Sequence, residues 1–116
     1  PGVTIIKEVT TLKLKVIPPT HRIDPTLPPN TGLLIGPYTI NQNQGIGVQV
    51  TWSPSSATLL IGVINAYTGS GTGVYVGGGY AFVIFEPGAG TYYVLVYNPS
   101  SYTVSATIYI YIITFS

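Results

Sequence analysis

The sequence predicts an all-β protein, an antiparallel β-sandwich with an extended strand arm at its N-terminus. Three observations lead there. Apolar and polar residues alternate with period two in several segments, most clearly in Val104, Ala106, Ile108, Ile110 and Ile112 against Thr103, Ser105, Thr107, Tyr109 and Tyr111. Clusters of Gly, Pro, Asn and Ser divide the chain into short strands at regular spacing. No segment joins a 3.6-residue period to capping signals and good helix formers, so no helix is expected.

Residues 3–17 read as extended. Leu12, Leu14 and Val16 alternate with Lys13 and Lys15, whereas Val3, Ile5 and Val9 have the opposite parity, so the phase flips near Thr10 and Thr11. Leu12, Leu14 and Val16 are expected to enter a core, with the lysines on the solvent side. Residues 18–32 hold Pro18-Pro19, Asp24-Pro25 and Pro28-Pro29 and read as a stiff linker, since proline lacks the donor that a sheet ladder uses. Body strands are expected over 33–40, 47–52, 58–66, 73–76, 80–85, 91–98 and 103–114, in a jelly-roll or immunoglobulin-like sandwich. Val48, Val50 and Trp52 face inward, and residues 58–63, apolar on both parities, read as a central strand. The organisation is therefore an arm (1–17), a proline-rich linker (18–32) and a sandwich body (33–116).

At 116 residues there is room for one core. Only 6% of residues are charged against 46% hydrophobic, which excludes a disordered chain. Lys7, Glu8, Lys13, Lys15, Arg22 and Asp24 all precede residue 25, and Glu86 is the one charged residue after it. An ordinary soluble surface intersperses charge; this body is covered by Thr, Ser, Asn, Gln, Gly and Tyr, which suits a coat of glycan or burial against copies of itself. Asn98-Pro99-Ser100 approaches the N-glycosylation pattern, but the proline disqualifies it. The net charge of +1 offers no basic patch for phosphates, so nucleic acid is not an expected partner. No apolar run reaches the length of a membrane-spanning helix, and the alternating strands are too few and uneven for a transmembrane barrel. There is no Cys for disulfides or thiolate metal sites. Starting at Pro1 and lacking Met, the chain reads as an extracellular or cell-surface protein after signal-peptide removal.

Catalysis needs positioned acids, bases, nucleophiles or metals, and the inventory is one His, one Asp and two Glu. His21 and Asp24 fall in the proline-rich segment and read as solvated. Glu86, beside Pro87-Gly88, reads as a lone turn carboxylate, with no second carboxylate for glycosidase chemistry. The glycine loops 69–73 and 77–79 do not precede helices, unlike phosphate-binding loops. No catalytic residue, cofactor or metal is expected, and the chain is not read as an enzyme. The positive feature is ten tyrosines, of which Tyr92, Tyr93, Tyr97, Tyr102, Tyr109 and Tyr111 form a candidate aromatic surface for stacking sugars, for subunit contacts or for cross-strand ladders.

The segment Thr91-Tyr92-Tyr93-Val94-Leu95-Val96-Tyr97-Asn98-Pro99-Ser100-Ser101 with the long strand after it resembles the end of prepeptidase C-terminal-type β-sandwich modules. In layout, with an uncharged Thr/Tyr/Gly-rich body and a detached N-terminal strand, the whole chain resembles surface thread and pilus subunits of hyperthermophilic archaea, which are joined by donor-strand complementation. That resemblance implies a thermostable homopolymer in which Val3, Ile5, Val9, Leu12, Leu14 and Val16 form the donor strand. A sandwich lacking one strand exposes unpaired backbone, and a neighbour's arm can fill it. The alternatives are a secreted carbohydrate-binding or prepeptidase C-terminal-like module, and an archaeal virus capsid or turret protein.

Overall fold

The computed structural model describes residues 3–4, by their backbone, and 13–115. These form eleven strands and no helix: β1 (Val3–Thr4), β2 (Lys13–Ile17), β3 (Arg22–Ile23), β4 (Thr26–Leu27), β5 (Thr31–Ile40), β6 (Gln44–Ser53), β7 (Leu59–Asn65), β8 (Gly71–Val76), β9 (Tyr80–Phe85), β10 (Gly90–Asn98) and β11 (Val104–Thr114). One sheet has the order β1-β8-β7-β10-β5-β2. The other runs β3-β11-β6-β9, with β4 also paired to β11. All pairings among the described residues are antiparallel except β2 with β5. No helix there is long and apolar enough to cross a membrane.

All seven body strands form where the alternation placed them, and β9 matches residue for residue. From β5 onward the chain changes sheet at every connection except the β7–β8 hairpin, so both sheets contribute to one core. Ile35, Leu59, Ile61, Val63, Val94 and Val96 meet Ile46, Val48, Val50, Trp52, Val104, Ala106 and Ile108. Trp52 donates its indole N–H to Ala57 O at 2.8 Å, which lets the ring be buried. Strand β7 is buried along both parities because its second face meets another cluster, in which Leu60, Ile64 and Leu95 pack with Leu14, Leu34 and Tyr97. Gly32 lies in this layer, where a Cβ would come within 2.6 Å of Val96 O; the strands approach closely there because no side chain intervenes.

Three expectations change. Residues 18–32 are not a free linker: β3 and β4 run along β11 as an interrupted edge strand, Ala106 N–H donates to Pro25 O at 3.0 Å and Ile110 N–H to His21 O at 2.9 Å. Prolines are tolerated because an edge strand pairs on one side only, and Leu27 drops fully into the core. The phase of β2 is reversed. Its parallel register sets Ile17 opposite Ile35 and Val16 opposite Leu34, so Ile17 meets the core, Lys13 and Lys15 share its parity, and Val16 is 59% exposed. Finally, Ile112 is 43% exposed, because β3 covers β11 only near Ile108 and Tyr109 and leaves the end of the strand open on that side. The phase flip at Thr10 and Thr11 lies outside the described residues.

Candidate functional site

The first seventeen residues supply both edge strands of the six-stranded sheet. β1 pairs with β8, Val3 opposite Gly73 and Thr4 opposite Thr72, while β2 pairs with β5 at the far edge. Of the expected donor residues, Ile5, Val9 and Leu12 lie outside the described residues, Leu14 is half-buried against the outer cluster and Val16 is exposed. Between β2 and the 26–28 segment the sandwich stays open as a cleft of about 350 Å³, lined by Lys13, Lys15, Leu27, Pro28 and Leu33 among others. Leu27 and Leu33 make its floor apolar, and the two exposed lysines stand at its rim.

The six tyrosines of the expected aromatic surface do not share one face. Tyr92 is buried in the main core and donates its O–H to Pro87 O at 3.2 Å. Tyr93 and Tyr97 lie on the outer face of the six-stranded sheet, in the parity of Leu95. Tyr102 is exposed in the turn before β11. Only Tyr109 and Tyr111 stand together, their rings nearly parallel with centroids 6.4 Å apart, on the outer face of the five-stranded sheet.

That face holds residues the sequence did not single out. Across β9 and β11, Phe82 packs edge-on to Tyr111 at 6.2 Å, helped by Gly47, where a Cβ would meet Ile113 at 2.9 Å and Phe82 at 3.3 Å. Tyr80, Phe82 and Ile84 are 56%, 46% and 45% exposed. Their period-two spacing against Ala81, Val83 and Phe85 was visible, but apolar residues on both parities hid which side is wet. On the β3 flank, Arg22 lies 5.5 Å over the Tyr109 ring and His21 is edge-on to Tyr111 at 5.1 Å.

His21 and Asp24 take different partners. Nδ1 of His21 donates to Ile110 O at 2.9 Å. Asp24 accepts from Arg22 at 3.2 Å and from Thr107 Oγ1 at 2.8 Å. Glu86 is exposed in the loop after β9. Among the described residues no three His, Asp or Glu side chains gather as metal ligands would.

No family model matches the chain, and no curated protein does either. Solved structures do. The pre-peptidase C-terminal domain of collagenase from Bacillus anthracis superposes with a TM-score of 0.60 at 12% identity, over 86% of this chain and 96% of that one. PliG from Aeromonas hydrophila, a periplasmic inhibitor of g-type lysozyme, gives 0.59 at 16% identity, over 86% of this chain and 97% of its own. At these identities the likeness is one of fold, a small β-sandwich that takes in 86% of this chain.

Proposed function

We propose that this chain is a non-catalytic structural subunit of an extracellular filament, joined head-to-tail by its N-terminal arm. One observation carries the reading: the arm closes both edges of the six-stranded sheet, β1 on β8 and β2 on β5. Without it, both edges would present unpaired backbone groups. Among the described side chains of the arm, Val16 and both lysines are exposed, and Leu14 and Ile17 are half-buried. The same contacts made by a neighbour's arm keep the register and add no new surface, which is the logic of strand exchange. Full burial of an apolar side chain contributes roughly 1.5–3 kcal/mol, so the half-buried Leu14 and Ile17 contribute less than that each, while each ladder hydrogen bond adds about 0.5–1.5 kcal/mol. Ordering the arm offsets part of this. A head-to-tail joint that does not close on itself propagates as a filament.

The nearly uncharged body fits a subunit packed among copies of itself. An extracytoplasmic setting accords with the periplasmic inhibitor that shares the fold. Deletion of residues 1–17 is expected to abolish polymers seen by negative-stain microscopy, and a synthetic peptide of those residues to cap the truncated body as a stable monomer. Regular filaments from the truncated chain would refute the reading. A second reading, an appended module of a larger secreted protein, is favoured by the likeness to the collagenase domain; it requires the full chain to stay monomeric at all concentrations.

A further inference from the structure

The outer face of the five-stranded sheet is away from both arm strands and divides into two halves. The strand register sets the rows: Thr26, Ser105 and Ser53; Thr107, Thr51 and Tyr80; Arg22, Tyr109, Gln49 and Phe82; Tyr111, Gly47 and Ile84. The hydroxyl residues of the first two rows line a depression of about 540 Å³ whose polar groups are Asp24, Thr26, Thr51, Ser53, Ser105 and Thr107. The other two carry the half-exposed rings of Phe82, Tyr109 and Tyr111, and Tyr80, opposite Thr51, and Tyr109, next to Thr107 on the same face of β11, stand beside the depression.

We infer that this face is a binding site for a neutral oligosaccharide or polysaccharide. A pyranose ring has an apolar face of C–H groups and a rim of hydroxyls. The platform offers aromatic surface for the former, and the depression offers short hydroxyl side chains and one carboxylate for the latter. Asp24 is built into the site: Arg22 and Thr107 both bond its Oδ1, fixing the carboxylate while its second oxygen has no partner among the described residues. Arg22 and Asp24 also neutralise each other at 3.2 Å. With no other Lys, Arg, Asp or Glu in these rows, the face has no charge to complement, which selects an uncharged ligand over an acidic glycan. The many half-exposed rings favour a chain of sugars over a single one. The inference does not rest on the polymer reading, since the arm strands belong to the other sheet.

The test is titration of the full-length chain with cello-, manno- and chito-oligosaccharides, followed by amide NMR shifts and calorimetry. Saturable binding of at least one is expected, with shifts at Thr51, Thr107, Tyr109 and Tyr111 and little change on adding salt. Tyr109→Ala and Asp24→Asn should each weaken it at least tenfold. Tyr75→Ala, an exposed tyrosine on the other sheet, should leave it unchanged. Melting curves establish that the variants are folded, and Thr107→Val gives a second, milder probe of the polar half. Failure of the whole panel to bind, binding untouched by the Tyr109 and Asp24 changes, or shifts at this face that follow protein concentration without sugar would each overturn the assignment, the last by giving the face to a second copy.

Discussion

Asn98 is fully buried at the end of β10 and holds three backbone segments together. Its Nδ2 reaches the carbonyls of Leu27 at 3.0 Å, Pro28 at 3.3 Å and Tyr102 at 2.7 Å, while its Oδ1 accepts from the N–H and hydroxyl of Ser100. In the sequence this residue stood out only as a failed glycosylation pattern; its amide instead satisfies carbonyls that would be costly to bury unpaired. Tyr38 does comparable work for the segment between β2 and β3, donating its O–H to Thr20 O at 2.6 Å and accepting from Thr20 N–H at 3.0 Å. Burial raises its phenol above the ordinary tyrosine range, opposed in part by the bond from Thr20. A raised acid is stabilising while neutral, so this contribution is complete below about pH 10 and is lost as pH rises through the folded value. Tyr38→Phe is expected to cost roughly 1–3 kcal/mol at neutral pH for two lost hydrogen bonds. It should also flatten the alkaline loss of stability, both read from urea melts between neutral and strongly alkaline pH.

At the scale of elements, the separation between legible and hidden follows how each strand is held. Strands β5 to β11 were legible because Gly, Pro and Asn set their ends and the core enforces alternation, as in Val48, Val50 and Trp52. Sheet order was not, because the chain changes sheet at nearly every connection and alternation says nothing about which neighbour a strand takes. The 18–32 segment misled for a definite reason: proline forbids a central strand but not an edge one, and one-sided pairing on β11 leaves no local mark except Leu27. Leu27→Ala therefore distinguishes edge strand from linker. Loss of about 2–5 kcal/mol is expected for a buried leucine, whereas a free linker would show no change in the denaturant midpoint. Likewise, the alternation of β2 was visible but its phase was not, because the parallel register on β5, set by Ile17 against Ile35, decides which parity faces the core. At the candidate site, Tyr109 and Tyr111 were legible as outward-facing. Arg22, Asp24, Tyr80 and Phe82 were not, since they join that face only through pairing across β3, β6, β9 and β11.

For the whole molecule, the two sheets divide the work. The six-stranded sheet is completed by the arm and carries the proposed joint, while the five-stranded sheet presents the open aromatic and hydroxyl face proposed as the glycan site. Charge is concentrated toward the N-terminus instead, with Lys13 and Lys15 on the arm, the Arg22–Asp24 pair beside β11 and only Glu86 after residue 25. An uncharged body has little electrostatic repulsion to keep copies apart, which suits the dense packing of the proposed filament. The absence of Cys makes the joint directly accessible to cross-linking. Val16 and Leu34 face each other in the β2–β5 register, within the reach of a disulfide between neighbouring strands. The chain carrying both Val16→Cys and Leu34→Cys, oxidised at concentrations where polymer is present and run on a denaturing gel without reductant, is predicted to give a ladder of covalently linked subunits. A single band of internally linked monomer would contradict exchange of the arm between copies.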